Sequence, residues 1–439
     1  MGTFVPSSEE ERRQMLEAVG CKNVGELFAD IPSEARVKSL GLPGGLSELE
    51  AGRRMEELAG ENKIFKSVFR GAGAYRHYIP AAVRRIASNE TFLTAYTPYQ
   101  AEISQGILQA IFEYQTMICE LTGMDVSNAS VYDGASAAAE AAAMCRDRKR
   151  QTVYVSAAVH PDVIETVKTY CFGADAPVKL VPAKNGATDI NELRAMLSED
   201  AGAACFYLQQ PNFYGILEDA DALGEIVHAT GAKFIVGCNP ISLGMLKAPT
   251  DCGADIAVGE GQPLGMPLGF GGPYLGFMAC RSELMRRLPG RIVGETVDAQ
   301  GRRAFVLTLQ AREQHIRREK ASSNICSNEA LCSLTAAVYL SVMGPSGLKE
   351  TAVQCYSKAH YAAEKIGTVE GFGRKYGADF FHEFATACPD TERTLSLLEQ
   401  HGILGGYPLP DGGLLWCVTE MNTKEEIDRL ADLLKEVPA

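Results

Sequence analysis

Short apolar runs alternate with helical patterns between residues 88 and 330, and this alternation limits the fold more than any other feature. The runs are rich in β-branched and apolar residues and lie at positions 152–156, 178–181, 203–208, 234–237, 255–258 and 274–279. Such alternation is typical of a mainly parallel sheet with helices on both faces. The sequence therefore predicts a large α/β domain over residues 88–330.

The segments on either side of this domain have different patterns. Residues 1–87 predict a helical N-terminal segment, with one helix starting at Ser8 and its acidic neighbours. A longer helix is predicted from Tyr99 to about Leu121, because Gly123 is a typical helix stop. A Gly- and Pro-containing break at 343–347 leads to residues 345–439, which predict a small α+β domain whose last helix begins at Thr423.

Composition excludes several classes of protein. The net charge of −13 over 439 residues argues against a nucleic-acid-binding surface. No run of eighteen uncharged apolar residues occurs, so no membrane span is predicted. The first fifteen residues lack the pattern of a signal peptide, and the 13 cysteines form no C-x-x-C pair. We therefore expect a cytoplasmic chain with reduced, mostly buried cysteines and no metal site.

Four separated segments carry a family resemblance. They are Arg70–Pro80 (RGAGAYRHYIP), residues 92–106 (FLTAYTPYQAEISQG), residues 269–274 (GFGGPY) and residues 320–328 (KASSNICSN). Together, and in this order, they resemble the P-protein (glycine decarboxylase) family of the glycine cleavage system. The resemblance implies an aspartate-aminotransferase-like fold, the fold type I of pyridoxal phosphate enzymes. Members of the family are either one long chain with two homologous halves or two separate subunits, and this chain has the length of one half.

The resemblance also indicates which half this is. A pyridoxal phosphate enzyme needs a lysine that holds the cofactor aldehyde. In our alignment Gln262 stands at the expected lysine position, and no lysine occurs between Lys247 and Lys320. The strand at 234–237 is followed by Cys238 and Asn239, so the acid expected beside the pyridine nitrogen is missing too. The resemblance therefore implies a subunit with no catalytic residue of its own, whose partner binds pyridoxal phosphate covalently.

Two positions have a cofactor-related interpretation and a structural one. The turn from Asp133 to Ser136 lies where relatives hold the cofactor phosphate, but the same residues form an ordinary helix cap. His160 lies where relatives stack a ring on the cofactor, but a histidine before Pro161 also suits a helix entry. Both interpretations stay open, and the structural one is favoured.

The resemblance suggests contributions to the partner's active site. Tyr96, Tyr99 and Gln100 would reach across the interface to bind glycine, unless the tyrosines only pack the domain edge. The loop containing Gly269, Gly271 and Gly272 would approach the partner's cofactor phosphate, or form a plain hairpin turn. The basic run at 312–320 would steer an acidic lipoyl carrier, or form a solvated helix face.

The predicted function follows from the same resemblance. With the second P-protein subunit, glycine and the lipoylated H-protein, the chain would act as glycine dehydrogenase (aminomethyl-transferring), in a two-plus-two heterotetramer. Glycine would lose carbon dioxide, and its aminomethyl group would pass to the lipoyl arm. Two alternatives remain: a subunit that only stabilises its partner, and a self-sufficient pyridoxal phosphate enzyme that uses Lys247 or another lysine.

Overall fold

The computed structural model describes residues 7–37, 39–321 and 323–438, and within them the chain forms two compact units. The first unit runs to Ile64. Its helices α1 (Glu9–Ala18) and α2 (Glu48–Gly60) each begin with a capping box, in which Ser8 pairs with Glu11 and Ser47 pairs with Glu50. No residue of α1 or α2 is buried, so neither helix has a core within its own unit.

The second unit begins at Phe65 and contains the rest of the described chain. Its α-helices are α3 (Ala81–Ala87), α4 (Glu90–Leu93), α5 (Gln105–Thr122), α6 (Gly134–Cys145), α7 (Pro161–Gly173), α8 (Ile190–Ser198), α9 (Ala220–Ala229), α10 (Gln314–Arg317), α11 (Ala330–Gly367), α12 (Thr391–Gln400) and α13 (Lys424–Leu434). Its strands are β1 (Ser67–Val68), β2 (Val126–Ser127), β3 (Thr152–Ser156), β4 (Val178–Val181), β5 (Ala183–Lys184), β6 (Ala187–Thr188), β7 (Ala203–Gln210), β8 (Lys233–Cys238), β9 (Ile256–Glu260), β10 (Gly276–Cys280), β11 (Ile292–Val297), β12 (Arg303–Thr308), β13 (Glu383–Thr386), β14 (Ile403–Leu404), β15 (Tyr407–Pro408) and β16 (Leu414–Cys417).

A seven-stranded sheet forms the centre of the second unit, in the order β2-β10-β9-β8-β7-β3-β4. Neighbouring strands from β9 to β4 are parallel, and β10 is antiparallel to both β9 and β2. All five residues of β3 are buried, as expected of a strand covered on both faces. The predicted α/β architecture with a mainly parallel sheet is confirmed.

The helix α5 begins at Gln105, six residues later than predicted, because a turn precedes it. In that turn the N–H of Ile103 donates to the carbonyl of Gln100. Its predicted end is confirmed: Gly123 caps it in the left-handed conformation, with φ of 72°.

The helix α11 passes through the predicted break at 343–347. Gly344 has φ of 61° and ψ of 179°, which interrupts the helix, and helical structure resumes at once. By length and composition alone this helix could cross a membrane, with mean hydropathy of 1.4 over its most apolar window, of which 33% is buried. It packs against α3, α5 and α13, and core helices of soluble domains share these properties, so the pattern is weak evidence for a span.

The C-terminal sheet contains β13, β16 and β15, all antiparallel. It packs with α11, α12 and α13 around a core that includes Trp416 and Phe384. Thr423 opens α13 with a capping box completed by Glu426, which confirms that predicted helix start. The domain boundaries at residues 87, 330 and 345 stay predictions.

Candidate active site

A cavity of about 460 Å³ lies at the carboxyl ends of the parallel strands. Gln209 near the end of β7, Asn239 after β8 and Glu260 at the end of β9 line it, together with the start of α6. In open α/β sheets this edge is where ligands bind, because the strand ends and the helix N-termini converge there. The cavity is therefore the candidate site of the second unit.

The start of α6 is occupied by a carboxylate from β9. Glu260 accepts hydrogen bonds from the backbone N–H groups of Gly134 (2.9 Å), Gln262 (2.9 Å) and Leu275 (3.0 Å). Asp133 caps the same helix by accepting from the N–H of Ser136 at 2.7 Å. Burial raises the pKa of Glu260 to about 7, although the three backbone donors favour its charged form.

Gln262 is fully engaged in hydrogen bonds with the backbone. Its side-chain oxygen accepts from the N–H of Tyr75 at 2.9 Å, and its side-chain nitrogen donates to the carbonyls of Tyr75 (2.9 Å) and Met266 (2.8 Å). The residue is 1% exposed. Its side chain therefore fixes the segment around Tyr75 and has no free group for chemistry.

The segment Arg70–Pro80, called here the strap, covers one side of the cavity. Glu383 in β13 accepts from the N–H of Ala72 (2.7 Å) and from the hydroxyl of Tyr75 (2.7 Å). The Nε2 of His160 lies 2.9 Å from the carbonyl oxygen of Ala72. Burial raises the pKa of Glu383 to about 7, against these two hydrogen bonds. The strap thus ties the strand ends of the large sheet to the C-terminal sheet.

Three buried nitrogen atoms on two side chains of the cavity wall have no hydrogen-bond partner among the described residues. Both ring nitrogens of His382 are buried and unpaired, as is the side-chain nitrogen of Asn239. Burial lowers the pKa of His382 well below its ordinary value, and the neighbouring His77 adds a smaller lowering effect. The ring is therefore neutral. None of the described lining residues is lysine or arginine, and four are acidic: Asp133, Asp162, Glu260 and Glu383.

Comparison with known proteins decides the family. The profile of the glycine cleavage system P-protein family matches residues 2–434. The chain belongs to the P-protein family. It is 52% identical over 435 residues to the probable glycine dehydrogenase (decarboxylating) subunit 1 of Syntrophomonas wolfei, covering 98% of each chain.

Solved structures agree with this assignment. A crystal structure of an inhibitor-bound glycine decarboxylase (P-protein) of the glycine cleavage system matches with a TM-score of 0.94 and 42% identity, covering 99% of this chain and 100% of that one. An aspartate aminotransferase from Thermus thermophilus matches with a TM-score of 0.58 and 16% identity, covering 84% and 98%, which shows the fold alone. The predicted fold type I architecture is confirmed.

The cavity of this P-protein chain does not fit pyridoxal phosphate. No described lining residue is a lysine that could hold the aldehyde. The carboxylate of Glu260 already accepts the N–H of Gly134, the kind of donor that a phosphate would need. His160 is held by the strap, because its Nε2 lies 2.9 Å from the carbonyl oxygen of Ala72. The structural interpretation of the turn and of His160 is therefore the one these contacts support.

The predicted substrate residues lie away from this cavity. Tyr96 is 88% exposed, Tyr99 is 57% exposed and Gln100 is exposed, and none of the three lines it. Tyr99 is held in place by Arg291, whose guanidinium donates to its hydroxyl at 3.1 Å and lies 5.2 Å from its ring centroid. Tyr96 lines a separate small apolar pocket with Leu93 and other side chains of α4, α5 and α11.

The glycine-rich loop forms a tight exposed turn. The N–H of Gly272 donates to the carbonyl of Gly269 at 2.8 Å, and Gly271 has φ of 94°. Phe270 at its tip is 94% exposed. The turn thus exposes an apolar ring at its tip, and an approach to the partner's cofactor stays a prediction.

The basic run at 312–320 divides into a structural and an exposed part. Arg312 donates to the carbonyl oxygens of Leu288 and Gly290, which fixes its guanidinium inside the unit. His315, Arg317, Arg318 and Lys320 are exposed. Ser322 of the following motif lies outside the described residues. Lys247, the alternative cofactor lysine, pairs with Asp221 at 2.6 Å and does not line the cavity.

Sequence reasoning missed the three residues that dominate the cavity: Glu260, His382 and Glu383. Glu260 had a usable signal, since it is a carboxylate at the end of a buried strand, where site residues collect. His382 and Glu383 had none, because they lie in a strand region more than a hundred residues further along the chain. Their contact with the cavity is a product of tertiary packing.

The raised pKa of Glu383 makes its contribution to stability depend on pH. The unfolded chain loses this proton near the ordinary value of 4.5, and the folded chain keeps it until about 7. The contribution of Glu383 therefore falls as pH rises from about 4.5 to about 7. We expect the free energy of unfolding of the wild type to fall across this window relative to that of Glu383→Gln.

Urea unfolding at about pH 5 and about pH 7.5 measures this difference. The variant Glu102→Gln, which removes an exposed carboxylate, serves as the control for loss of a charge. An unchanged difference between wild type and Glu383→Gln at the two pH values would contradict the assignment.

Proposed function

We propose that this chain is the subunit of a glycine decarboxylase that lacks the cofactor lysine and acts only with a second subunit that carries pyridoxal phosphate. The observation that carries the proposal is Gln262, which is buried and has all its side-chain hydrogen-bonding groups bound to backbone. The name of the curated relative, subunit 1, supports a second subunit. The match over the whole chain supports the family's reaction.

The proposed reaction takes glycine, a proton and the lipoyl disulfide of the H-protein. Carbon dioxide leaves, the aminomethyl carbon bonds to one lipoyl sulfur, and the other sulfur is reduced to a thiol. Pyridoxal phosphate, when bound by the partner, supplies the electron sink for the decarboxylation. This chain contributes side chains that position glycine and exclude water.

The segment at 92–106 is the part of the second unit best placed for that role. Leu93, Tyr96, Tyr99 and Ile103 are all more than half exposed, an unusual concentration of large apolar side chains on a surface. Arg291 holds the ring of Tyr99 in one orientation, which prepares its hydroxyl for a ligand without further loss of side-chain entropy. We propose that the second subunit covers this segment, and that Tyr96, Tyr99 and Gln100 bind the substrate there.

Borohydride reduction of the reconstituted complex tests where the cofactor is held. We expect mass spectrometry to find the pyridoxyl group on a lysine of the second subunit and on none of this chain, because no lysine of the described ranges lines the cavity. The isolated chain should retain no reducible absorbance band after dialysis. The variant Lys247→Ala should change neither the cofactor content nor the glycine turnover of the complex. A pyridoxyl adduct on this chain would instead favour the self-sufficient enzyme.

The variants Tyr96→Phe and Tyr99→Phe test the substrate residues. Loss of a hydroxyl that bonds a carboxylate should lower kcat/KM for glycine about tenfold or more in the assembled complex. Tyr356→Phe, which removes a hydroxyl 3.3 Å from Asp379, is the matched control and should not change turnover. If both variants assemble with reduced yield but turn over normally per complex, the chain is a stabilising subunit.

A further inference from the structure

We propose that Glu260 is the residue that closes this subunit's cavity to phosphorylated ligands, because its carboxylate takes the anion position at the start of α6. The inference rests on the proposed function only in assigning the cofactor to the second subunit. It makes one side chain the determinant of phosphate binding at the start of α6.

The position that Glu260 occupies is built for an anion. The helix α6 has 12 residues, and its N-terminus carries partial positive charge and N–H groups that have no partner within the helix backbone. Glu260 receives the N–H of Gly134 from this helix and two further N–H groups, those of Gln262 and Leu275. Three backbone donors converging on one pair of oxygens is the arrangement that phosphate groups use in proteins.

A phosphate cannot share this position with the carboxylate. A Cβ atom on Gly134 would lie 2.8 Å from the backbone nitrogen of Glu260, so the start of α6 and the end of β9 are in direct contact. A phosphate approaching the N–H of Gly134 would therefore meet Glu260 within contact distance. When Glu260 is ionised, its carboxylate and the phosphate would also repel each other at short range in a poorly solvated site.

The rest of the cavity is able to hold a ligand. Its volume of about 460 Å³ is within the range of small-molecule sites. His382 is 2% exposed and lines the cavity, and neither of its ring nitrogens has a hydrogen-bond partner in the described part of the chain. The cavity thus has room and polar groups for a ligand. The anion position at the start of α6 is blocked by Glu260.

The test is to remove the carboxylate and offer phosphate. In Glu260→Ala the N–H groups of Gly134, Gln262 and Leu275 lose their acceptor, and phosphate should satisfy them. We expect inorganic phosphate, and pyridoxal phosphate held without a covalent bond, to bind this variant at least tenfold more tightly than the wild type. Isothermal titration at constant ionic strength, with chloride in place of phosphate as the blank, measures the affinity.

Glu383→Ala is the matched control. Glu383 is also buried, lines the same cavity and accepts two hydrogen bonds, but it does not lie at a helix start. Its removal should lower stability without raising phosphate affinity. Equal phosphate affinity in the wild type, Glu260→Ala and Glu383→Ala would overturn the proposal.

A second variant protects the test against misfolding. Should Glu260→Ala not yield folded protein, Glu260→Ser removes the charge and keeps a small polar group, with the same expected gain and the same overturning result. The two hypotheses also fail differently. A reducible cofactor adduct on the wild-type chain would contradict the proposed function, whereas a cofactor-free wild type with no gain in either variant would contradict only the role of Glu260.

Discussion

Gln262→Lys should destabilise the chain severely and should not create a cofactor site. The substitution places an ammonium group where 1% of the residue is exposed and removes the acceptor for the N–H of Tyr75. Burying an unpaired charge and leaving a buried donor without a partner each carry a large cost. We expect the free energy of unfolding to fall by about 4 kcal/mol or more.

Urea unfolding and the absorbance of the dialysed chain with pyridoxal phosphate check both parts of this expectation. Gln109→Lys, on the exposed face of α5, is the matched control and should change stability by less than about 0.5 kcal/mol. A stable Gln262→Lys variant with a reducible cofactor band would show that the lysine position alone separates this subunit from a cofactor-binding one. The result would also remove the main support for Glu260 as a second barrier.

Gly215→Ala should be at least as damaging, for a steric reason. Gly215 has φ of +81°, and a Cβ atom there would lie 1.9 Å from the carbonyl oxygen of Glu383. The N–H of Phe381 also donates to the carbonyl of Gly215 at 3.0 Å, so the two segments cannot separate without losing that bond. The backbone around Glu383 would have to move, and with it the anchor of the strap. We expect a loss of about 4 kcal/mol or more.

Thermal and urea unfolding of Gly215→Ala measure this effect, and Gly377→Ala provides the comparison. A Cβ atom at Gly377 would meet nothing within 4 Å. That control should be nearly neutral. If Gly215→Ala unfolds at the same urea concentration as the wild type, the close approach of the two segments does not hold in solution.

The sheet could be predicted from the sequence because its signals are local. A strand covered on both faces is nearly all apolar, and β3, β7 and β8 each contain such a run, at residues 153–155, 203–208 and 234–236. The end of α5 at Gly123 and the start of α13 after Thr423 are likewise set by capping residues within one helical turn. The start of α5 was misplaced because the apolar spacing extends into residues that form a turn instead.

The cavity could be predicted only in part, because its contacts join distant parts of the chain. The sequence predicts that Gln262 stands at the lysine position, but it does not predict the hydrogen bonds between Gln262 and Tyr75, which span 187 positions. The strap was recognised as a family segment, yet its contacts with Glu383 depend on how the C-terminal sheet docks. No local pattern encodes such pairings. The tyrosines at 96 and 99 were singled out by resemblance alone, and their role stays a prediction.

The strap has a consequence for motion in the complex. Its anchors are Gln262 after β9, Glu383 in β13 and Glu420 after β16, and Glu420 accepts the N–H of Tyr78 at 2.6 Å. A hinge opening between the two sheets would have to break these hydrogen bonds together, so we expect it to be rare. Many enzymes admit substrate by that kind of domain movement. We expect this subunit to stay rigid during turnover. The domain movement that admits glycine and the lipoyl arm would then occur in its partner.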